Sequence, residues 1–187
     1  SINLALRGTV SARGSKKQHL ISTQIEHTAT LTTLAALKKQ GHAITLIPCD
    51  QAGVVDPKAI ITAIRPETTL ISLIVVQNEI GTIEPVAQIG KLLIAANRER
   101  AKRKLHPVLL HLDACQAPMA MRVNVSQLHA DLLSLDASKI YGPKGSGLLY
   151  VRRGIALTPQ ISGGEQQNGF RSGTEPLALI AGLAAAL

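Results

Sequence analysis

At 187 residues with a net charge of +8 and 45% hydrophobic residues, the chain has the length of one cored domain or of part of a larger one. One Phe, two Tyr and no Trp mean that the core is built from Leu, Ile, Val and Ala; they also leave no stacking platform for single strands, and with no recognisable motif direct nucleic-acid binding is not expected despite the charge. Two cysteines form neither a disulfide framework nor a metal cluster, no apolar run approaches the roughly 18 residues of a membrane span, and no export signal opens the chain, so the expected setting is cytoplasmic with no membrane contact.

Ile2 to about Arg13 reads as a helix stopped by Gly14, and His19 to Ser22 as a short buried strand. Thr28–Gln40 is helical with Gly41 as its stop, and Ala43–Ile47 is a strand. Asp56 and Pro57, a favoured N-cap and first-turn pair, begin a helix to Ile64. Thr69–Val76 is a continuous β-branched and leucine run, the pattern of a strand covered on both faces. Pro85 to about Lys104 is the longest helix, and its Arg98–Lys104 end carries five basic residues that read as a solvated helix C-terminus complementing the dipole. Pro107–Leu112, Asp131–Asp136 and Gly147–Arg152 complete the strands. The chain opens without Met inside a helix and ends at Leu187 with no helix-stopping signal, which reads as an internal segment of a longer protein.

Strands separated by helices predict an α/β fold with a doubly covered, mostly parallel sheet and ligand chemistry at the carboxyl ends of the strands. The residues just past those ends are Thr23–His27, Gln77–Glu79, Asp113–Gln116 and Ser138–Lys139. Lys139 stands against the glycine-rich turn Gly142–Gly147, and a partly desolvated lysine there is suited to Schiff-base chemistry. Asp113 follows an apolar strand and can either cap the next turn or keep a heterocyclic nitrogen protonated. The two together are what pyridoxal 5'-phosphate asks of a protein: a lysine for its aldehyde and a carboxylate for its ring nitrogen. Gln116 and Asn78 are placed to bond the cofactor's phenolic oxygen. His27 can stack on the ring, shuttle a proton, or simply begin a helix.

Six segments carry a resemblance: Ile25–His27, Val76–Gly81, His111–Gln116, Ser138–Gly145, Leu149–Arg153 and Gly169–Thr174. In order and spacing they resemble the cysteine desulfurases of the class V aminotransferase group, across almost the full length. The resemblance implies a fold type I pyridoxal-phosphate-dependent transferase with a three-layer α/β/α large domain. Residues 1–187 would form part of that domain, without its N-terminal segment and without the C-terminal small domain. It further implies that Lys139 is the Schiff-base lysine, Asp113 the ring-nitrogen partner, His27 the stacking catalytic residue, and Gln116 and Asn78 the ligands of the phenolic oxygen. Ser138 would contact the cofactor phosphate, and Thr174 would reach the phosphate in the other subunit of a homodimer with shared active sites. Ser138 replaces a frequent His, and Asp136 stands where a phosphate-binding Ser is common; a carboxylate there would repel phosphate and is expected to point away. The loop Gly163–Gly169 reads as a flexible segment or a cover for the site.

The implied reaction removes sulfur from L-cysteine to give alanine and an enzyme persulfide for a sulfur-acceptor protein, as in sulfur transfer or iron-sulfur cluster assembly. Neither Cys49 nor Cys115 matches the persulfide-forming cysteine. The alternatives are another class V enzyme, such as a selenocysteine lyase or a transaminase, or a non-catalytic fragment serving as a dimerising or binding module. A site divided between domains and subunits leaves the isolated segment expected to be inactive.

Overall fold

The computed structural model describes residues 1–187. Five helices, α1 (Ile2–Ala12), α2 (Thr28–Lys39), α3 (Pro57–Thr62), α4 (Val86–Lys102) and α5 (Leu177–Ala186), accompany six strands: β1 (His19–Thr23), β2 (Ala43–Ile47), β3 (Thr68–Ile74), β4 (Leu109–Asp113), β5 (Leu132–Asp136) and β6 (Gly147–Val151). The strands form one sheet in the order β2-β1-β3-β4-β5-β6, parallel except for β6. The predicted elements are all present. The apolar run after Ile74 leaves the ladder, yet Val75 and Val76 stay buried and Val76 bridges to Ile83.

Successive residues of the central strands feed opposite faces, as the period of two requires. Ile21, Ile71, Leu110 and Leu133 pack with Ile60 of α3 and with Val86, Ile89 and Leu93 of α4. Their neighbours Leu20, Leu70, Leu109 and Leu132 pack with Ala5, Leu6 and Val10 of α1 and with Leu34 and Leu37 of α2. The result is the three-layer α/β/α arrangement expected. Each leucine so buried contributes about 1.5–3 kcal/mol over its exposed state.

Because helices run antiparallel to the parallel strands, their C-termini collect at the edge opposite the strand carboxyl ends. Lys38 and Lys39 end α2, and Arg100 and Lys102 lie in the last turn of α4. These four basic residues are thus held against helix dipoles, away from the carboxyl ends of the strands. Arg100 departs from the solvated end expected of its run: it is buried. Its guanidinium donates to the carbonyls of Arg65 (2.8 Å), Pro66 (3.0 Å), Thr68 (3.2 Å) and His106 (3.0 Å), so it ties α4 to the entries of β3 and β4. A rigid five-donor fork can satisfy that many carbonyls at once, which is why burial is tolerated.

Candidate cofactor site

At the carboxyl edge a cavity of about 490 Å³ opens between β3, β4 and β5 and the start of α1. His27, Asn78, Asp113, Gln116 and Lys139 all line it, although they come from four separate connections. Ser1, Ile2 and Asn3 line it too; that edge is where a helix running into β1 must begin, a signal present in the alternation.

Local structure fixes each group. The side chain of His27 caps α2, with the Ala29 N–H donating to its Nδ1 at 3.2 Å. The two readings of this histidine, helix start and site residue, are therefore compatible. Asp113 ends β4 at 3% exposure, and its Oδ1 accepts only the Cys115 N–H at 3.2 Å, leaving acceptor capacity free on the carboxylate. The side chains of Asn78, Gln116 and Lys139 make no hydrogen bond within the chain. Gly147 lines the cavity as well, and a Cβ there would come within 2.7 Å of the Leu135 carbonyl, so only glycine lets β6 start so close to β5.

Three expectations are corrected. Asp136 does not point away: it lines the cavity and caps the 3-10 turn Ala137–Ile140. Its Oδ1 accepts the Ser138 N–H and its Oδ2 the Ser138 hydroxyl, both at 3.0 Å. Ser138 is thereby held by Asp136 and lies outside the cavity lining. Lys139 is exposed rather than partly desolvated, since the residues of this chain leave one side of its turn open. Thr174 is exposed and outside the cavity; residues Gly163–Gly169 are outside it too, mostly exposed with Gln166 and Gly169 half-buried, and Gln167 and Asn168 take left-handed backbone angles.

Beneath the cavity lies a row of polar groups that the strand pattern concealed. His111, fully buried two residues before Asp113, joins the Ser72 hydroxyl through Nδ1 at 2.8 Å and the Ser134 hydroxyl through Nε2 at 3.0 Å. Burial holds it down to a pKa of about 4. The unfolded chain, with an ordinary value near 6.5, takes up the proton first as pH falls. The stability linked to neutral His111 is therefore complete above about pH 6.5 and is lost between about 6.5 and 4, by on the order of 3 kcal/mol. Urea unfolding across that range should show this loss in the parent and a shallower one in His111→Asn.

Glu26 is the residue the sequence reading passed over. It is 5% exposed, and its Oε1 accepts from the Thr23 hydroxyl (2.7 Å) and the Ile74 N–H (3.0 Å) while Oε2 has no partner. Burial, with smaller contributions from Asp113 and Glu84, pushes its carboxyl up to about 8. Burial likewise raises the carboxyl of Glu84, whose Oε2 accepts the Val55 N–H. Cys115 lines the cavity, but burial and then the neighbouring Asp113 push its thiol far above the ordinary range, so it is held as the un-ionised thiol.

The aminotransferase class-V family model matches residues 1–187. The chain belongs to the class-V aminotransferase family. It is 41% identical to the cysteine desulfurase IscS of Dictyoglomus turgidum over 187 residues, covering 100% of this chain and 45% of the relative. To the human cysteine desulfurase it is 39% identical over 188 residues, covering 39% of that protein. Among solved structures, one described as SspA in complex with cysteine superposes with a TM-score of 0.89 at 37% identity, over 100% of this chain and 51% of that one. A NifS-like protein superposes with a TM-score of 0.91 at 34% identity, over 49% of its length. The chain thus spans less than half the length of the curated relatives.

Pyridoxal phosphate is the cofactor of this class-V chain, and the donor set fits it. A buried carboxylate with free acceptor capacity, two uncommitted amides, an uncommitted ammonium and an imidazole border one cavity, where a phosphorylated pyridine aldehyde needs these groups.

Proposed function

We propose that this chain is part of the large domain of a pyridoxal-phosphate-dependent cysteine desulfurase. The observation that carries the reading is the meeting of Lys139, Asp113, Asn78, Gln116 and His27 around one cavity, in a chain that matches cysteine desulfurases over its whole length.

When bound, the cofactor supplies an electron sink for the charge left on the substrate's α-carbon. Lys139 lines the cavity, where its Nζ would be the amine that holds the cofactor's aldehyde and, when not so engaged, the base that would move the α-proton of L-cysteine. The Asp113 carboxylate, with acceptor capacity free, would keep the ring nitrogen protonated. Asn78 and Gln116, whose amides are free on the cavity wall, would donate to the cofactor's phenolic oxygen, and His27 would stack on its ring and offer a proton-transfer group to the substrate. Attack on the substrate sulfur falls to a cysteine outside residues 1–187, since the Cys115 thiol is held protonated and Cys49 does not line the cavity.

Thr174, exposed and outside the lining of its own chain's cavity, is assigned to the cofactor phosphate of a second subunit in a homodimer with shared sites. The remaining assignments are a cytoplasmic location, a sulfur-acceptor protein and a role in sulfur transfer or iron-sulfur assembly.

The test is turnover of L-cysteine by the full-length protein. Alanine forms in step with enzyme-bound persulfide, and Cys115→Ser retains at least about half the rate, as expected for a side chain that supplies no nucleophile. Release of a keto acid without sulfur transfer would instead identify a transaminase, and no turnover would leave a binding module.

A further inference from the structure

Glu26 is used by none of the steps above, yet it is a carboxyl group buried in the connection between β1 and α2, next to a site residue. From the structure we infer that Glu26 is a positioning residue: by bonding Thr23 and Ile74 at once, it sets the β1–α2 turn so that the His27 ring stands over the cofactor cavity. This deepens the assignment of His27 to the cofactor and rests on it.

The geometry supports the inference from both sides of the residue. Oε1 accepts from the Thr23 hydroxyl, within its own turn, and from the Ile74 N–H, where β3 ends and the backbone needs a new acceptor. The turn is tied to β3's continuation a second time, by Gln77 Nε2 donating to the Ile25 carbonyl at 3.4 Å. His27 follows Glu26 directly, and its own anchor is the single cap bond from the Ala29 N–H. With no other side-chain tether, the position of the imidazole depends on where the turn is set.

The chemistry of Glu26 suits a fixed anchor better than a proton carrier. Its charged neighbours, Asp113 on β4 and Glu84 before α4, are both acidic, and no cation compensates it. A neutral acid accepts both bonds through Oε1 and keeps its proton on Oε2, which touches neither solvent nor a partner. A glutamine reproduces this pattern; an alanine removes both bonds.

The experiment uses the full-length protein and the variants Glu26→Gln, Glu26→Ala, His27→Ala and the double variant Glu26→Ala/His27→Ala. Pyridoxal phosphate affinity is measured by fluorescence, and the His27 imidazole nitrogens are followed by long-range proton–nitrogen NMR without cofactor. Glu26→Gln is expected to match the parent in both. Glu26→Ala should weaken cofactor binding about tenfold and move the His27 Nδ1 resonance away from the accepting form. In the His27→Ala background the same change should cost less than about twofold, the non-additivity of residues acting through one another. Equal losses in both backgrounds, or an unmoved His27 resonance in Glu26→Ala, would overturn the inference. If the parent binds no cofactor the functional assignment fails instead, and the cofactor-free resonance still decides whether Glu26 sets His27.

Discussion

Replacing Lys139 with alanine is expected to abolish the visible absorbance band of the bound cofactor and to lower kcat for L-cysteine on the order of 1,000-fold or more, without unfolding the protein. The size follows from two functions lost together. Nζ provides the covalent attachment and also the group that moves the α-proton, and positioned acid–base groups alone are worth about 100- to 10,000-fold. The fold should be indifferent, because Lys139 is exposed and its side chain holds nothing else in place. Spectra with added pyridoxal phosphate, kcat from alanine release and thermal unfolding of the variant check the three parts separately. A retained band in Lys139→Ala would move the attachment to another amine.

Asp113→Asn tests the electronic half of the site. Asparagine keeps the shape and can still accept the Cys115 N–H through Oδ1, so the β4 end should stay as it is. It cannot stabilise a proton on the ring nitrogen as a carboxylate does, and charge-assisted bonds are roughly twice as strong as neutral ones. The expected result is a protein that still takes up the cofactor through Lys139 but turns over L-cysteine about 100-fold or more slowly, with KM changed far less than kcat. Such a split marks an interaction made mainly in the transition state. An unchanged kcat would return Asp113 to the capping role that its position also allows.

How much of this was legible depended on the range of the contacts involved. The strands announced themselves because the β-branched and leucine runs are local, and the edge that carries Lys139, Asp113, Asn78, Gln116 and His27 followed from parallel topology alone. The misjudged residues are those whose partners lie far away in sequence or compete locally. Arg100 looked solvated because its fellow basic residues are; the carbonyls that bury it come from the loops before β3 and β4. Glu26 was hidden because its deciding partner, Ile74, is 48 residues away. Asp136 and Ser138 differ from what the resemblance implied for a local reason, since the Asp136 carboxylate takes both the N–H and the hydroxyl of Ser138 in a short cap between neighbours. Lys139 kept its place but not its expected environment, as desolvation is a property of everything packed around a group.

The most direct measurement is reduction of the cofactor-loaded full-length protein with borohydride, followed by mass mapping of its peptides. The account predicts a phosphopyridoxyl group on the peptide that contains Lys139 and on no other. Labelling of another lysine, or no labelling at cofactor saturation, would contradict it.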